Sequence, residues 1–250
     1  MPSVSVVIIT KNEAASIAAC LASVSGLADE VVVLDSGSTD GTRELCAGLG
    51  ARVIETDWPG FGEQKKRAVQ SAGNDWVLCL DADERVSPEL AAEIRSALIA
   101  PAYPAYRFAR RNRFLGRYLR HGEGYPDWSL RLFDRRAARW SSDAVHEKVI
   151  ADGPVGEIKG DLLHDSAESL AAYLAKQNRY TSLAAEMELA NGRQVSAARM
   201  VLSPIVRFFK FYVLRAGFRD GVPGLVHIAI GCFNSFIKYA KIREGQSSRQ

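Results

Sequence analysis

Four short apolar runs alternate with helical patterns over the first hundred residues. The runs are rich in the residue types that favour strands, and they cover residues 4–9, 30–34, 52–55 and 76–80. Helical patterns follow the first three runs, and Ser87-Pro88 opens a further helix with a capping serine and a proline at the first helical position. Apolar strands that alternate with helices predict an α/β fold, with a mostly parallel sheet covered by helices on both faces.

Polar loops come directly after three of the predicted strands. They are Thr10–Glu13, Asp35–Gly41 and Asp81–Glu84. In open parallel sheets, ligands bind beyond the carboxyl ends of the strands. We therefore expect the three loops to meet in one crevice.

The pattern changes after the first hundred residues. From Tyr103 to His164 the chain is rich in arginine and aromatic residues, which predicts short mixed strands and loops. A helical stripe then runs from Leu170 to Met187, and apolar segments follow at 200–214 and 222–237. The last third of the chain is therefore expected to be helical.

The distribution of charge along the chain indicates the kind of partner that the protein binds. The 250 residues are 47% hydrophobic and 24% charged, which is ordinary for a soluble globular protein. The net charge is +3, but the segment from Arg199 to Arg243 alone carries +7 and leaves −4 for the rest of the chain. A basic segment of this kind indicates an anionic partner, either a lipid surface or a charged acceptor.

Cysteine usage and hydropathy indicate a reducing compartment. The four cysteines are widely spaced and form no C-x-x-C pair, so we expect free thiols. The N-terminal apolar run is too short for a signal peptide. No stretch reaches the roughly 18 uninterrupted apolar residues of a spanning helix.

Two aspartates, Asp81 and Asp83, follow the fourth predicted strand. Isolated buried charges are rarely tolerated, so a carboxylate pair at the end of a buried strand calls for a cation. Divalent metal ions take oxygen ligands and often bridge to the phosphates of a substrate. The pair therefore predicts a metal and diphosphate site, whereas a solvated loop would account for one aspartate but not for the whole run Leu80–Glu84.

Other polar motifs allow two interpretations each. The run Asp35–Thr42 fits a turn with a helix cap, or a contact from its first carboxylate to the base or ribose of a nucleotide. The charged run at 63–67 fits a polar helix face, or a phosphate contact made by Lys65. Glu147 and His164 fit structural roles or functional ones. The dinucleotide fingerprint and the P-loop spacing are both absent.

Together these motifs resemble those of family-2 glycosyltransferases with the GT-A fold, and more closely the lipopolysaccharide core β-glucosyltransferases. The resemblance extends over nearly the whole chain. It is carried by the runs Val6–Glu13, Asp35–Asp40, Gly62–Lys65, Leu80–Glu84, Val145–Glu147, Arg207–Lys210 and Gly217–Gly221.

The resemblance implies a domain organisation. Residues 1–165 would form the GT-A domain, a Rossmann-like, mostly parallel sheet covered by helices. Within it, residues 1–100 would bind the nucleotide and residues 101–165 would serve the acceptor and catalysis. Residues 166–250 would form a helical, basic C-terminal extension.

The resemblance also implies a set of site residues. Asn12, Glu13 and Asp35 would hold the base and ribose of a nucleotide sugar, and Asp81 would lie by the ribose or the sugar. Asp83 and His164 would bind Mg²⁺ or Mn²⁺ across the diphosphate. The full donor-binding set is Thr10, Asn12, Glu13, Asp35, Ser38, Lys65, Asp81, Ala82 and Arg131.

Glu147 falls in the segment where inverting relatives place their catalytic base. The usual pair in that segment is Glu-Asp, whereas this chain has His146-Glu147. Asp143 and Asp127 therefore stay open as alternative bases.

The implied activity is an inverting transfer from a nucleotide sugar, with a UDP-hexose such as UDP-glucose as donor. The acceptor would be a glycan or a lipid-linked molecule such as lipopolysaccharide core. The basic C-terminal helices would dock the enzyme on an anionic membrane surface, at the inner face of the cytoplasmic membrane, unless they form a helical subdomain or a dimer. No nucleic-acid partner is expected.

Two other classes of protein are alternatives to this function. An aspartyl phosphohydrolase also carries a D-x-D motif after a strand, but on its first strand rather than its fourth. A catalytically silent module would keep the fold and bind a sugar nucleotide without turnover.

Overall fold

The computed structural model describes residues 2–141, 147–166 and 169–247. The strands in this part of the chain are β1 (Val4–Thr10), β2 (Glu30–Asp35), β3 (Arg52–Glu55), β4 (Trp76–Asp81), β5 (Glu84–Val86), β6 (Ala105–Phe114), β7 (Arg117–Tyr118), β8 (Asp127–Asp134), β9 (Ala138–Trp140), β10 (Val149–Ala151) and β11 (Val155–His164). The helices are α1 (Ile17–Val24), α2 (Thr42–Gly48), α3 (Phe61–Gln70), α4 (Pro88–Ile99), α5 (Leu170–Ala190), α6 (Ala197–Phe208) and α7 (Gly221–Ser247), with a π-helical segment at Phe209–Leu214 and a 3₁₀ turn at Gly217–Asp220.

The main sheet has a parallel half and an antiparallel half. Its strands follow the order β3-β2-β1-β4-β8-β6-β11-β5, with β7 beside β6. β1 pairs in parallel with β2 and β4, and β2 with β3, whereas β8 runs antiparallel to β4 and β6. The predicted α/β fold with a parallel sheet at its start and helices at its C-terminal end is confirmed.

Alternate residues of β1 face two separate hydrophobic layers. Val4, Val6 and Ile8 pack with α1 and α4 on one face, while Val7 and Ile9 pack with α3 on the other. Successive side chains of a strand point to opposite faces, so a strand covered on both faces needs an uninterrupted apolar run. The two layers hold the carboxyl end of β1 in a fixed position.

The region after α4 contains longer strands than the sequence predicts. β6 and β11 each have ten residues. The first half of β6 is buried from Ala105 to Ala109 except for Arg107, which is exposed, so this part of the strand is largely covered on both faces. The many arginines of this region hide the strand in the sequence.

The chain divides into two compact units. One consists of residues 1–110 and 127–165, and the other of residues 111–126 and 166–250. Residues 111–126, expected in the first part of the chain, group in the structure with the C-terminal helices. The reason is Asp220, a fully buried carboxylate that accepts hydrogen bonds from the backbone N–H groups of Arg120 and His121.

In the second unit, α5 and α7 enclose a small apolar core that includes Ala185, Tyr239 and Ile242. Among the described residues, one helical stretch, residues 217–247, is long and apolar enough to cross a membrane by length and composition; an 18-residue window within it has a mean hydropathy of 1.2. The sequence shows no uninterrupted apolar run of that length because polar residues such as Asn234 interrupt it.

All four cysteines are free thiols, as predicted. Cys20, Cys46 and Cys79 are buried in the first unit, and Cys232 on α7 is half-buried. Burial raises the pKa of the Cys79 thiol to about 11.

Candidate active site

The carboxyl ends of three neighbouring parallel strands lie side by side. Thr10 at the end of β1 pairs with Asp35 at the end of β2, and Ile9 pairs with Asp81 at the end of β4. Because buried layers fix these strands on both faces, the polar residues that follow them are held at one edge of the sheet. The loops that the sequence singled out therefore lie at the same edge.

Asp35 is fully buried and bonded to its own loop. Its carboxylate accepts hydrogen bonds of 3.0 and 2.8 Å from the backbone N–H groups of Gly37 and Ser38, and another from the Ser38 hydroxyl. These bonds agree with the turn interpretation of the run that begins at Asp35. The carboxylate shapes the loop, and a nucleotide would meet that shape rather than a free side chain.

Asn12 connects the loop after β1 to the loop after β2. It has a positive φ of 57°, its backbone N–H donates to the Ser38 hydroxyl at 2.8 Å, and its Oδ1 accepts from the backbone N–H of Thr39 at 2.9 Å. Asparagine tolerates this left-handed conformation better than most residues. Asn12 and Ser38 are thus brought together, with both contacts serving the loop structure.

Glu13 lies at the same edge, with its backbone N–H bonded to the Thr42 hydroxyl at 2.9 Å. Burial raises the pKa of its carboxyl, the hydrogen bond from Ser16 opposes this, and the negative charge of Asp83 adds to the rise. Glu13 therefore lies close enough to Asp83 for their charges to interact.

Asp81 is surrounded by cations from distant parts of the chain. Its Oδ2 accepts a 2.7 Å hydrogen bond from Arg131 on β8, and its Oδ1 lies 3.4 Å from Nζ of Lys65 on α3. Burial alone would raise the pKa of Asp81, but the positive charges of Arg131 and Lys65 outweigh it and hold the pKa below its usual range. The carboxylate is ionised and keeps both cations at the strand end.

Lys65 also reaches the predicted catalytic base. Its ammonium lies 3.2 Å from Oε1 of Glu147 and 4.8 Å from the ring centre of Trp140. Only 8% of Lys65 is exposed, so this residue is not part of a solvated helix face. The structure thus brings together four residues that the sequence analysis assigned to the site: Lys65, Asp81, Arg131 and Glu147.

Glu84 is a site residue that the sequence analysis missed. It is fully buried, and its Oε2 accepts a 3.0 Å hydrogen bond from the backbone N–H of Asp81. Its Oε1 accepts hydrogen bonds from Arg131 at 3.0 Å and from Arg110 at 3.3 Å. Burial raises the pKa of Glu84, and Arg131 offsets only part of the rise. The sequence signal was its place directly after the D-x-D motif, but its buried cationic partners lie far along the chain.

Asp83 and His164 form a pair beside this cluster. β5 and β11 run antiparallel with Glu84 opposite His164, which places Nε2 of His164 3.1 Å from Oδ2 of Asp83. Burial lowers the pKa of His164, but the hydrogen bond to Asp83 and the negative charge of Asp83 together outweigh it, and the pKa is raised. The predicted metal-binding residues are therefore neighbours.

The donor set of this pair fits a divalent cation in part. A carboxylate oxygen and an imidazole nitrogen are both atoms that bind divalent cations, and Asp83 and His164 present one of each 3.1 Å apart, joined by a hydrogen bond. In the described part of the chain, no cluster of three or more His, Cys, Asp or Glu residues could hold a metal ion. The pair would thus supply part of a coordination shell and leave the rest to phosphate oxygens and water.

The remaining predicted residues differ in their accessibility. The side chain of Ala82 packs in the hydrophobic core, so a donor could reach only its backbone. Thr10 is buried, and its hydroxyl has no hydrogen-bond partner in the part of the chain that the structure describes. Asp127 is held by Arg110 at 2.9 and 2.8 Å, and Asp143 lies outside the described residues.

The fold and this edge define a class of protein, an α/β enzyme whose acidic and basic side chains gather at the carboxyl ends of parallel strands, where nucleotides bind. Comparison with known families makes the assignment specific. Residues 5–149 match glycosyl transferase family 2, and the chain belongs to this family. It is a glycosyltransferase, and the predicted resemblance is confirmed; the phosphohydrolase alternative is wrong.

Similar proteins cover nearly the whole chain. The lipopolysaccharide core biosynthesis glycosyltransferase LpsC of Rhizobium meliloti is 31% identical, over 94% of this chain and 90% of LpsC. An uncharacterised glycosyltransferase of Rickettsia typhi is 32% identical, over 98% of this chain and 88% of its own. A mycobacterial crystal structure has a TM-score of 0.50 at 20% identity, over 74% of both chains, which supports the fold alone.

A glucosyl-3-phosphoglycerate synthase from Mycobacterium tuberculosis resembles a smaller part of the chain. Its structure in complex with Mn²⁺, UDP and glucosyl-3-phosphoglycerate is 30% identical over 45% of this chain and 44% of its own, with a TM-score of 0.38. At that score the structural likeness adds nothing to the fold described above.

Proposed function

We propose that the chain is an inverting glycosyltransferase that moves a hexose, with glucose as the first candidate, from its UDP-sugar to a glycan or lipid-linked acceptor. Lipopolysaccharide core is the first acceptor to test, because LpsC carries that role in its name and is similar over nearly the whole chain. One observation carries the proposal: Lys65 lies within 3.4 Å of Asp81 and 3.2 Å of Glu147, beside the Asp83–His164 pair.

In this proposal Lys65 and Arg131 stabilise the diphosphate of the donor. Both are nearly buried, at 8% and 6% exposure, and the Nη1 atom of Arg131 has no hydrogen-bond partner among the described residues. Cations in a site with little water stabilise developing negative charge more strongly than cations in bulk solvent do. As the bond between the sugar and the diphosphate breaks, these two cations would stabilise the negative charge that develops on the diphosphate.

Asp83 and His164 are the residues that would hold Mg²⁺ or Mn²⁺. Bound there, the ion would act as a Lewis acid that neutralises charge on the leaving diphosphate. Glu84 would hold Asp81 and Arg131 in position, because it bonds the backbone of Asp81 and the guanidinium of Arg131 at the same time.

Glu147 is the proposed catalytic base. Its carboxylate would take the proton of the acceptor hydroxyl while that oxygen attacks the anomeric carbon on the side opposite the diphosphate, which inverts the configuration. Asp127 is the less suitable alternative because Arg110 holds it in two contacts. Asp143 stays open, and an Asp143→Asn variant with unchanged turnover would remove it.

The enzyme is also proposed to act at the inner face of the cytoplasmic membrane, as a peripheral protein of the cytoplasm. The support is the +7 charge of the segment from Arg199 to Arg243 and the need to reach a lipid-linked acceptor. Anionic lipid is the proposed partner, and no nucleic acid is expected to bind.

A panel of sugar nucleotides tests the donor and the cation together. The full chain is heated with each of several UDP-hexoses, with Mn²⁺, with Mg²⁺ and with a chelator. A ligand that binds only the folded state raises its melting temperature, so UDP-glucose with a cation should give the largest rise, and Asp83→Ala should abolish the cation-dependent part. Nucleotide release with a purified acceptor, and the anomeric configuration of the product by NMR, complete the test. A retained configuration, or no rise with any UDP-sugar, would overturn the proposal.

A further inference from the structure

The outward side of α6 and of the π-helical segment is apolar and uncovered. Six of its side chains are between 51% and 69% exposed: Val201, Leu202, Ile205, Val206, Phe209 and Leu214. A helix on the surface of a soluble protein normally turns polar residues outward, and soluble monomers rarely expose large contiguous apolar patches. This apolar side of α6 and of the π-helical segment is therefore poorly suited to contact with water.

Two polar residues of α6, Ser203 and Arg207, are half-buried and bond to other parts of the second unit, whereas Arg199 is exposed. The Ser203 hydroxyl bonds the Ser235 hydroxyl on α7 at 2.8 Å, and Nε of Arg207 donates to Glu123 at 3.1 Å. The guanidinium of Arg199 lies 5.7 Å from the ring centre of Tyr239. The helix is thus inverted relative to a water-facing one, with its hydrogen bonds inside and its apolar residues outside.

The charges around this side are positive. Lys210, Arg215 and Arg219 are exposed next to the apolar residues, and Lys210 lies 5.3 Å from the ring centre of Phe211. The acidic residue between Arg199 and Arg243 is Asp220. It is fully buried, and its carboxylate accepts hydrogen bonds from the backbone N–H groups of Arg120 and His121. An apolar stripe bordered by exposed cations is complementary to a bilayer with anionic headgroups.

We infer that α6 and the π-helical segment lie in the plane of an anionic lipid surface, with the six exposed apolar side chains inserted at the boundary of headgroups and acyl chains. This inference rests on the proposed function only for its biological setting, the lipid-linked acceptor. The inserted helix is α6 and not α7, although α7 is longer and more continuous.

α7 also exposes apolar side chains, such as Val222 and Phe233, but polar bonds along its length tie it to the second unit. Asn234 donates to Gln177 on α5 at 2.9 Å, and Nζ of Lys241 bonds the side chains of Asn178 and Thr181 at 2.8 and 2.9 Å. Crossing a bilayer would break these bonds and expose the freed groups to hydrocarbon, which is costly. α6 can enter the interface without breaking any of them.

A second copy of the chain is the other occupant to consider. A symmetric dimer through the outward side of α6 would gather the exposed cations of both copies, Lys210 and Arg215, around one interface. Like charges placed together across an interface oppose association, whereas anionic lipid neutralises them. The lipid surface is therefore the better partner.

Vesicle co-sedimentation of the full chain tests the inference. Vesicles that contain phosphatidylglycerol should bind the protein, vesicles of phosphatidylcholine alone should bind it weakly, and added salt should reduce the binding to phosphatidylglycerol. The double variant I205S/F209S should lose at least about tenfold in partition coefficient, because two inserted apolar side chains are replaced. The matched control is L183S/M187S, which removes two exposed apolar residues of α5, at 48% and 65% exposure, and should bind as the wild type does.

A charge variant keeps the test independent of folding. Lys210→Gln with Arg219→Gln leaves the apolar side intact and should weaken binding to anionic vesicles alone, and circular dichroism checks that each variant is folded. Equal binding by all variants would overturn the inference, as would a wild-type dimer that I205S/F209S converts to monomer without any effect on vesicles. Turnover of a soluble UDP-sugar should be the same in all of them, so a wild type without donor turnover would refute the proposed function while leaving the vesicle result to stand.

Discussion

Asp35 and Asp81 end two strands that both pair with β1, yet their carboxylates have different kinds of partner. Asp35 accepts hydrogen bonds from Gly37 and Ser38, two and three residues further along. Asp81 is neutralised by Lys65 and Arg131, which come from a helix and a strand elsewhere in the chain. The first arrangement is local, and the second depends on tertiary structure.

We expect this difference to separate a carboxylate that stabilises its own loop from one that serves binding and catalysis. The hydrogen bonds of Asp35 come from N–H and hydroxyl groups of its own turn, with Arg43 more distant at 4.0 Å, and a substrate could replace these bonds only by disrupting the loop. The partners of Asp81 are side-chain cations, which can exchange a carboxylate for the phosphate of a ligand. Residues around Asp81 should therefore affect catalysis and binding, and residues around Asp35 should affect folding.

The largest effect is expected for Glu147→Gln. Loss of a positioned general base should reduce turnover by about 10²–10⁴-fold, while affinity for the UDP-sugar stays unchanged because Lys65 and Arg131 are intact. Steady-state kinetics and calorimetric titration of the donor measure the two quantities. Wild-type turnover in this variant would remove Glu147 from the mechanism.

Glu84→Gln should come next, and it should act on folding as well as on activity. An amide there would turn its NH₂ group towards donors on Arg131, Arg110 or the backbone of Asp81. Removal of one member of a buried charge network costs about 3–5 kcal/mol of unfolding free energy. Urea denaturation measures the loss, and Glu55→Gln is the matched control, since Glu55 is exposed and pairs with Arg43 at the surface, where such pairs contribute about 0–1 kcal/mol.

Lys65→Met tests whether the cations of Asp81 bind the donor. Hydrogen bonds to charged groups contribute about 1.5–3 kcal/mol, so affinity for the UDP-sugar should fall by roughly 10- to 100-fold. Arg43→Met is the control on the other side of the comparison, because Arg43 lies 4.0 Å from Asp35. Calorimetry that finds an equal loss in both variants would show that the two carboxylates do not differ as described.

Asp35→Asn should have the smallest effect on binding and act mainly on stability. The amide can replace one acceptor but leaves an N–H group or hydroxyl of its loop without a partner, at a cost of about 1–3 kcal/mol. The midpoint of thermal unfolding should fall accordingly, while donor affinity measured well below that midpoint is retained. A variant with normal stability and no donor binding would place Asp35 in direct contact with the nucleotide.

Much of the first half of the molecule could be predicted from the sequence. The strands β1 to β4 lie within a residue of their expected positions. For β1, β2 and β4 the reason is that a strand buried on both faces requires an apolar run that the sequence shows directly. The serine cap of α4 is also where the sequence placed it, with the Ser87 hydroxyl accepting from the N–H of Leu90 at 3.2 Å. These features depend on residues close together in the chain.

The parts that sequence could not supply depend on distant contacts. Glu84 was visible as an acidic residue, but its partners Arg110 and Arg131 lie 26 and 47 residues away. The grouping of residues 111–126 with the C-terminal helices rests on Asp220, about a hundred residues further on. The inverted polarity of α6 was hidden for a related reason, since the inward direction of Arg207 is set by Glu123.

The buried thiols of the first unit can be used to measure how often that unit opens. A thiolate, not a thiol, attacks alkylating reagents, and burial keeps Cys79 protonated at neutral pH as well as shielded from solvent. Each modification event must then wait for the hydrophobic layers of the sheet to separate. The rate at which iodoacetamide alkylates these thiols would report how often the first unit opens. A bound donor should lower that rate.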